Sequence, residues 1–205
     1  MYEFLITAFV TMFIIIDPIG LLPLFIALTQ GMTKSERRGV AMRALTVAFF
    51  ILAIFGIAGD SLLAFVGIGM PAFRIAGGML VFLIAVEMLF ERRAQRREKQ
   101  SEEAHKPDPS VFPLATPLVA GPGSLAAIIL LASGSDGTEN PVVLTIVAVA
   151  GVLLFMFILF LFASGLEKLM GKTLINVVTR LLGILLAALA VQFVVDGLQS
   201  LGAIG

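Results

Sequence analysis

The sequence predicts an all-α integral membrane protein: six transmembrane helices forming two inverted three-helix repeats, with the first and fourth helices broken. Three observations predict it. Hydrophobic residues fill 59% of the 205 positions and charged residues only 14%, whereas soluble domains carry about 45–50% and about 25%. Six apolar stretches, near 4–29, 40–58, 72–90, 111–132, 141–164 and 174–197, can each cross roughly 30 Å of hydrocarbon at about 1.5 Å per residue. The first and fourth carry interruptions at matching places: Asp17-Pro18-Ile19-Gly20 with Pro23, and Gly121-Pro122-Gly123-Ser124 after Pro113 and Pro117. The runs are continuous rather than alternating, which leaves no pattern for a β-barrel.

Composition excludes several classes. A formal net charge of zero argues against a nucleic-acid partner. The absence of cysteine excludes disulfides and thiolate metal sites, and no metal or other cofactor is expected. No H-E-x-x-H occurs and no nucleophile stands with a suitable base, so an enzyme is not expected. Met1-Tyr2-Glu3-Phe4 lacks the basic start of a signal peptide, and the apolar run continues past any cleavage point, so it reads as a first span.

In span one, proline removes a backbone donor, and a carboxylate at depth must find a partner or water. Asp17 can cap the second half-helix with Pro18 at its first position. It can also carry a proton or hold a cation such as sodium, and the two roles are compatible. Span two follows Lys34, Arg37 and Arg38 and starts near Arg43; Gly56-x-x-Gly59 offers a close-packing face, possible also between subunits of a homo-oligomer. Span three holds Arg74, Gly77, Gly78 and Glu87. Arg74 is read either as an ion-pair partner of an outer acid such as Asp60 or as a gating residue. Glu87, about a turn from the span's end, is open to interfacial solvation or to coupling.

Residues 91–110 are the one hydrophilic stretch, with Arg92, Arg93, Arg96, Arg97, Lys99 and Lys106. They are expected as a helical extension of span three that frays before Pro107-Asp108-Pro109, a solvated linker whose charges set topology or grip anionic lipid headgroups. His105, the single histidine, lies here and is expected to be neither ligand nor catalyst. In span four the glycine-rich loop is either a packing kink or a set of amide donors at a helix N-terminus that binds a carboxylate, with Thr116 and Ser124 adding hydroxyls. Span six carries Arg180, a counterpart of Arg74 with Glu167 as a partner, then Gly183, whose Gly183-x-x-x-Ala187 face is another subunit contact candidate. Gln192 is expected to bond between helices, with coupling as the alternative.

Thirteen of the fourteen basic residues fall on one side of these spans, leaving only Arg74. The positive-inside rule then puts both termini outside the cytoplasm. Residues 1–90 and 111–205 share an order: broken span, plain span, then Arg-x-x-Gly at Arg74 and Arg180. Three spans per half invert the second copy, an arrangement in which transporters bind substrate where interrupted helices meet. At helical rise both breaks lie roughly 15–20 Å deep, near the bilayer centre.

Asp17-Pro18-Ile19-Gly20-x-x-Pro23, Phe73-Arg74-Ile75-Ala76-Gly77-Gly78 and the run from Pro113 to Gly123 resemble the signature stretches of the MarC family, six-span proteins of bacterial and archaeal cytoplasmic membranes. Arg180-x-x-Gly183 and Gln192-Phe193-x-x-Asp196-Gly197 also fit. The resemblance implies transport of small neutral amino acids. Many relatives carry Asn where this chain has Leu21, which puts specificity in question. The expected substrate site combines Asp17, Pro18, Gly20 and Pro23 with Thr116, Gly121, Pro122, Gly123 and Ser124, in a chain with the lipid bilayer as its other partner. A scaffold or passive channel is the competing reading.

Overall fold

The computed structural model describes residues 2–102, 108–134 and 139–203. Among them the chain is helical: α1 (Tyr2–Ile16), α2 (Pro18–Leu28), α3 (Lys34–Val66), α4 (Met70–Leu89), α5 (Arg92–Glu102), a wide coil over Ser110–Val119, α6 (Pro122–Ala132), α7 (Pro141–Leu161) and α8 (Ala163–Ser200). Five helical paths are long and apolar enough to cross a membrane, or six when the wide coil and α6, bent by 56°, count as one span.

The two interrupted paths occupy the centre. In α6 every residue from Gly123 to Ala132 except Leu125 is buried, as expected of a helix that is apolar all round. The outer helices bury one face and turn the other outward: Phe50, Ile54 and Ile57 on α3, Phe82 and Leu83 on α4, Leu154 on α7 and Ile184 on α8 are exposed.

Aromatic stacking and glycine notches join the helices. Phe25 of α2 stacks on Phe160 of α7 with ring centroids 4.0 Å apart, and Phe13 of α1 meets Phe155 edge-on at 5.3 Å. Gly78 of α4 lets the Ala190 carbonyl of α8 within 2.8 Å of where a Cβ would stand, and Gly183 of α8 receives the Met88 Cβ of α4 at 3.0 Å. Gly77 takes Leu130 of α6 in the same way, so these glycines serve packing within the chain. Gly56 and Gly59 pack on Ile128 and Ile129 of α6, and Gly183 on Met88 of α4, so these glycines make contacts within the chain.

The wide coil explains how span four accommodates two prolines. Its hydrogen bonds reach back five residues, Leu114 N to Pro109 O at 3.2 Å and Ala120 N to Ala115 O at 2.8 Å. Phe112 and Thr116, each preceding a proline, are extended, the conformation that a following proline favours. The peptide bonds Phe112–Pro113 and Thr116–Pro117 are cis.

The hydrophilic stretch departs most from expectation. Span three does not simply extend. The chain turns at Glu91, φ 59, and α5 folds back against the protein with Arg93 and Arg97 buried at 6% and 5% exposure. These two residues are core, not solvated linker. His105 lies outside the described residues.

Candidate functional site

The first break is made within one residue. The Asp17 amide still donates to the Phe13 carbonyl at 2.9 Å, and its carbonyl accepts from Leu21 at 3.1 Å, while its own backbone is left-handed at φ 58. Its Oδ1 accepts from the Gly20 amide at 3.0 Å, so Asp17 does cap α2, with Pro18 at the start where a missing donor is harmless. Gly20 is needed because a Cβ there would stand 2.1 Å from Asp17 Oδ2. The Asp-Pro-x-Gly run is thus one local device.

Its electrostatic partner comes from α5. Arg97 Nη1 lies 3.0 Å from Asp17 Oδ2, with the side chains 6% and 1% exposed. With the Gly20 amide turned to the carboxylate, the Ile16 carbonyl lacks a helical donor, and Arg97 Nη2 supplies one at 3.1 Å. Arg93 donates to the Ile15 carbonyl through Nη2 and to Met88 Sδ through Nη1 at 3.0 Å. Burial lowers both guanidiniums below their ordinary pKa, and for Arg93 the Arg97 charge adds to it; Asp17 opposes the shift at both.

At the second break Gly121 precedes α6, no side chain caps the helix, and Pro122 opens it. A Cβ on Gly121 would stand 2.4 Å from the Pro117 carbonyl oxygen. The buried Ser124 hydroxyl donates to the Val119 carbonyl at 2.7 Å. The two breaks are neighbours: a Cβ on Gly123 would lie 3.6 Å from Ile15 Cγ2, at the end of α1.

Two cavities flank this junction and share Arg93 and Arg97. One, of about 270 Å³, is lined by Asp17, Gly20, Pro23, Arg93, Arg97 and Thr179 among others. The other, of about 180 Å³, is lined by Arg93, Arg96, Arg97, Gly121, Gly123 and Ser124 among others. Pro122 also lines the second, while Pro18 is buried at the head of α2. Thr116, extended within the wide coil, is exposed and lines neither. Leu21 is fully buried in the core.

The remaining candidates fall outside the junction or at its rim. Glu87 accepts from Arg96 at 2.9 Å, and its Oε2 is buried without a hydrogen bond. Arg180 bonds Glu91 at 2.7 Å, across to the turn before α5; the side chain of Glu167 lies outside the described residues. Gln192 is exposed and donates to Asp196 within α8 at 2.7 Å, rather than to another helix. Arg74 and Asp60 line one depression at the far end of α4, where Asp60 accepts from the Ser133 hydroxyl. Among the described residues no cluster suited to a metal ion occurs.

Arg93 and Arg97 are the site residues that the sequence did not reveal as such. The available signal was indirect: an intramembrane carboxylate needs a positive partner, and the two arginines are four apart, on one face of a helix.

The family model described as "MarC family integral membrane protein" matches residues 2–201. The UPF0056 membrane protein YvbG of Bacillus subtilis is 34% identical over 98% of this chain and 97% of its own length. A UPF0056 membrane protein of Aquifex aeolicus is 38% identical over 95% of this chain and 92% of its own. The UPF0056 inner membrane protein YhgN of Escherichia coli is 31% identical over 95% and 96%. No solved structure matches the chain.

Proposed function

The chain belongs to the MarC family of integral membrane proteins, and on that premise we propose that it is a secondary transporter of small neutral amino acids. Its site lies near the midplane, where α1/α2 and the wide coil/α6 interrupt each other's path. The observation that carries this reading is the adjacency of two buried helix breaks with two cavities beside them. Interrupted helices meeting near mid-membrane are how many secondary transporters build substrate and ion sites. Asp17 supplies the coupling group, taking a proton or holding sodium when Arg97 withdraws.

The halves, residues 1–90 and 111–205, form an inverted repeat joined through α5. Support comes from which elements touch: α1 packs on α7 as the wide coil packs on α3, α2 packs on α8 as α6 packs on α4, and α4 with α8 is a pairing that an exchange of halves maps onto itself. The chain sits in the cytoplasmic membrane with both termini outside the cytoplasm, a reading that the grouping of basic residues supports. The E. coli relative is named as an inner membrane protein.

The test is counterflow in proteoliposomes loaded with unlabelled alanine, glycine or serine and supplied with the labelled amino acid outside. A transporter gives transient accumulation. A passive channel gives equilibration without it, and a scaffold gives neither; either result removes the reading.

A further inference from the structure

Two buried guanidiniums, Arg93 and Arg97, face a single buried carboxylate, Asp17, among the described residues. Arg97 has taken Asp17. Among the described residues Arg93 hydrogen-bonds a carbonyl and a thioether but no carboxylate, and the two acids it feels, Asp17 and Glu87, are each bonded to another arginine. A buried charge whose opposite charges are bonded elsewhere is only partly compensated, so the positive excess calls for an anion.

The first break shows what that anion looks like. There a helix N-terminus with proline at its first position, a capping carboxylate and a buried guanidinium are assembled together. At the second break the helix N-terminus, the proline and the guanidinium recur, and the carboxylate does not: the capping position is Gly121. The chain cannot supply it, because any side chain at 121 would begin 2.4 Å from the Pro117 carbonyl oxygen. The cavity of about 180 Å³ lies where it would be. At about 30 Å³ per water-sized group this volume holds about six non-hydrogen atoms.

We propose that this cavity is a binding site for the carboxylate group of a small solute, held by the planar fork of Arg93 and the N-terminal amides of α6, with Arg96 at the rim. A guanidinium fork matches a carboxylate with two parallel hydrogen bonds, and a helix N-terminus favours the same charge. The identity of the natural solute, a neutral amino acid, rests on the transport reading; the site itself does not.

The experiment measures the thermal unfolding midpoint of the purified full chain in detergent, with sodium propionate, alanine, propionamide, sodium phosphate or sodium chloride at equal ionic strength. Propionate and alanine raise the midpoint as their concentration rises; propionamide, phosphate and chloride do not. Arg93→Gln weakens apparent propionate affinity at least tenfold, and Arg96→Gln a few-fold. Should Arg93→Gln fail to fold, Arg93→Lys, which keeps the charge and loses the fork, takes its place with the same direction. Equal shifts from chloride, phosphate or propionamide, no shift from propionate, or undiminished binding by both Arg93 variants would overturn the proposal. Propionate binding without alanine counterflow keeps the site and removes the transport reading, whereas counterflow without carboxylate binding here does the reverse.

Discussion

Arg97 Nη1 and Asp17 Oδ2 meet at 3.0 Å across 80 positions of sequence, both side chains buried. The break in the first span is therefore completed by the segment that connects the two halves. Asp17 shapes the local turn through Gly20 and neutralises a charge through Arg97, with one oxygen for each role.

That division separates two substitutions. Asp17→Asn keeps the cap but strands Arg97, and breaking a buried pair from one side costs about 3–5 kcal/mol. Asp17→Ala loses the cap as well, a further cost of about 1 kcal/mol. Pairing Asp17→Asn with Arg97→Met removes both charges and should recover most of the stability lost in Asp17→Asn. Unfolding midpoints of the three variants in detergent measure this; an Asp17→Asn protein as stable as wild type would contradict it. On the transport reading, uptake driven by an ion gradient in proteoliposomes is lost in Asp17→Asn, even where the protein assembles.

Gly20→Ala should be among the most damaging single-methyl changes in the chain, because the new Cβ would meet Asp17 Oδ2 at 2.1 Å. Gly165→Ala is the control. It lies in α8 with nothing within 4 Å of the added carbon, and alanine gains up to about 1 kcal/mol in a helix. The two variants should move the unfolding midpoint in opposite directions.

Orientation is testable by labelling, because the chain has no cysteine of its own. A cysteine at Ser61 reacts with a membrane-impermeant thiol reagent in intact cells. One at Ser35, beside Lys34 and Arg37, reacts only after lysis. The opposite pattern would invert the topology.

A clip at the start of the wide coil gives a pH dependence. Hydrogen bonds from Ser110 hold the Asp108 carboxyl below the usual carboxylate range, with Arg43 at 3.1 Å assisting. A folded-state pKa below the unfolded value, about 3.9, means the stabilisation is complete above that pH and is lost as pH falls through the folded value. With Asp108 half exposed it is worth under about 1 kcal/mol. The midpoint difference between wild type and Asp108→Asn should stay constant from pH 7 to 5 and shrink below pH 4.

The spans and both breaks were legible in the sequence because hydrophobic length and proline–glycine punctuation act locally. Asp17 as a cap was legible for the same reason. Its partner was not, because α5 carries charge on every face; nothing in Arg92-Arg93-Ala94-Gln95-Arg96-Arg97 marks which arginines turn inward. Gln192 misled for a related reason: an amide in an apolar run suggests a partner across helices, yet Asp196 lies one turn away on its own helix. Thr116 misled because helical spacing does not apply to a coil whose residues before proline are extended.

The fold-back at Glu91 has an energetic consequence for the two proposed repeats. Two mirrored halves alone would leave the conformations open to either side of the membrane nearly equal in free energy. α5 belongs to neither half and reaches the junction from the basic end only, where its arginines bond the carbonyls of Ile15 and Ile16 and the carboxylate of Asp17. If that end opens, as transport would require, every bond α5 makes there is spent, and each 1.4 kcal/mol of such bias is about a tenfold change in population. On the transport reading, whatever opens the molecule on the side of its positive charges must first compete with its own arginines.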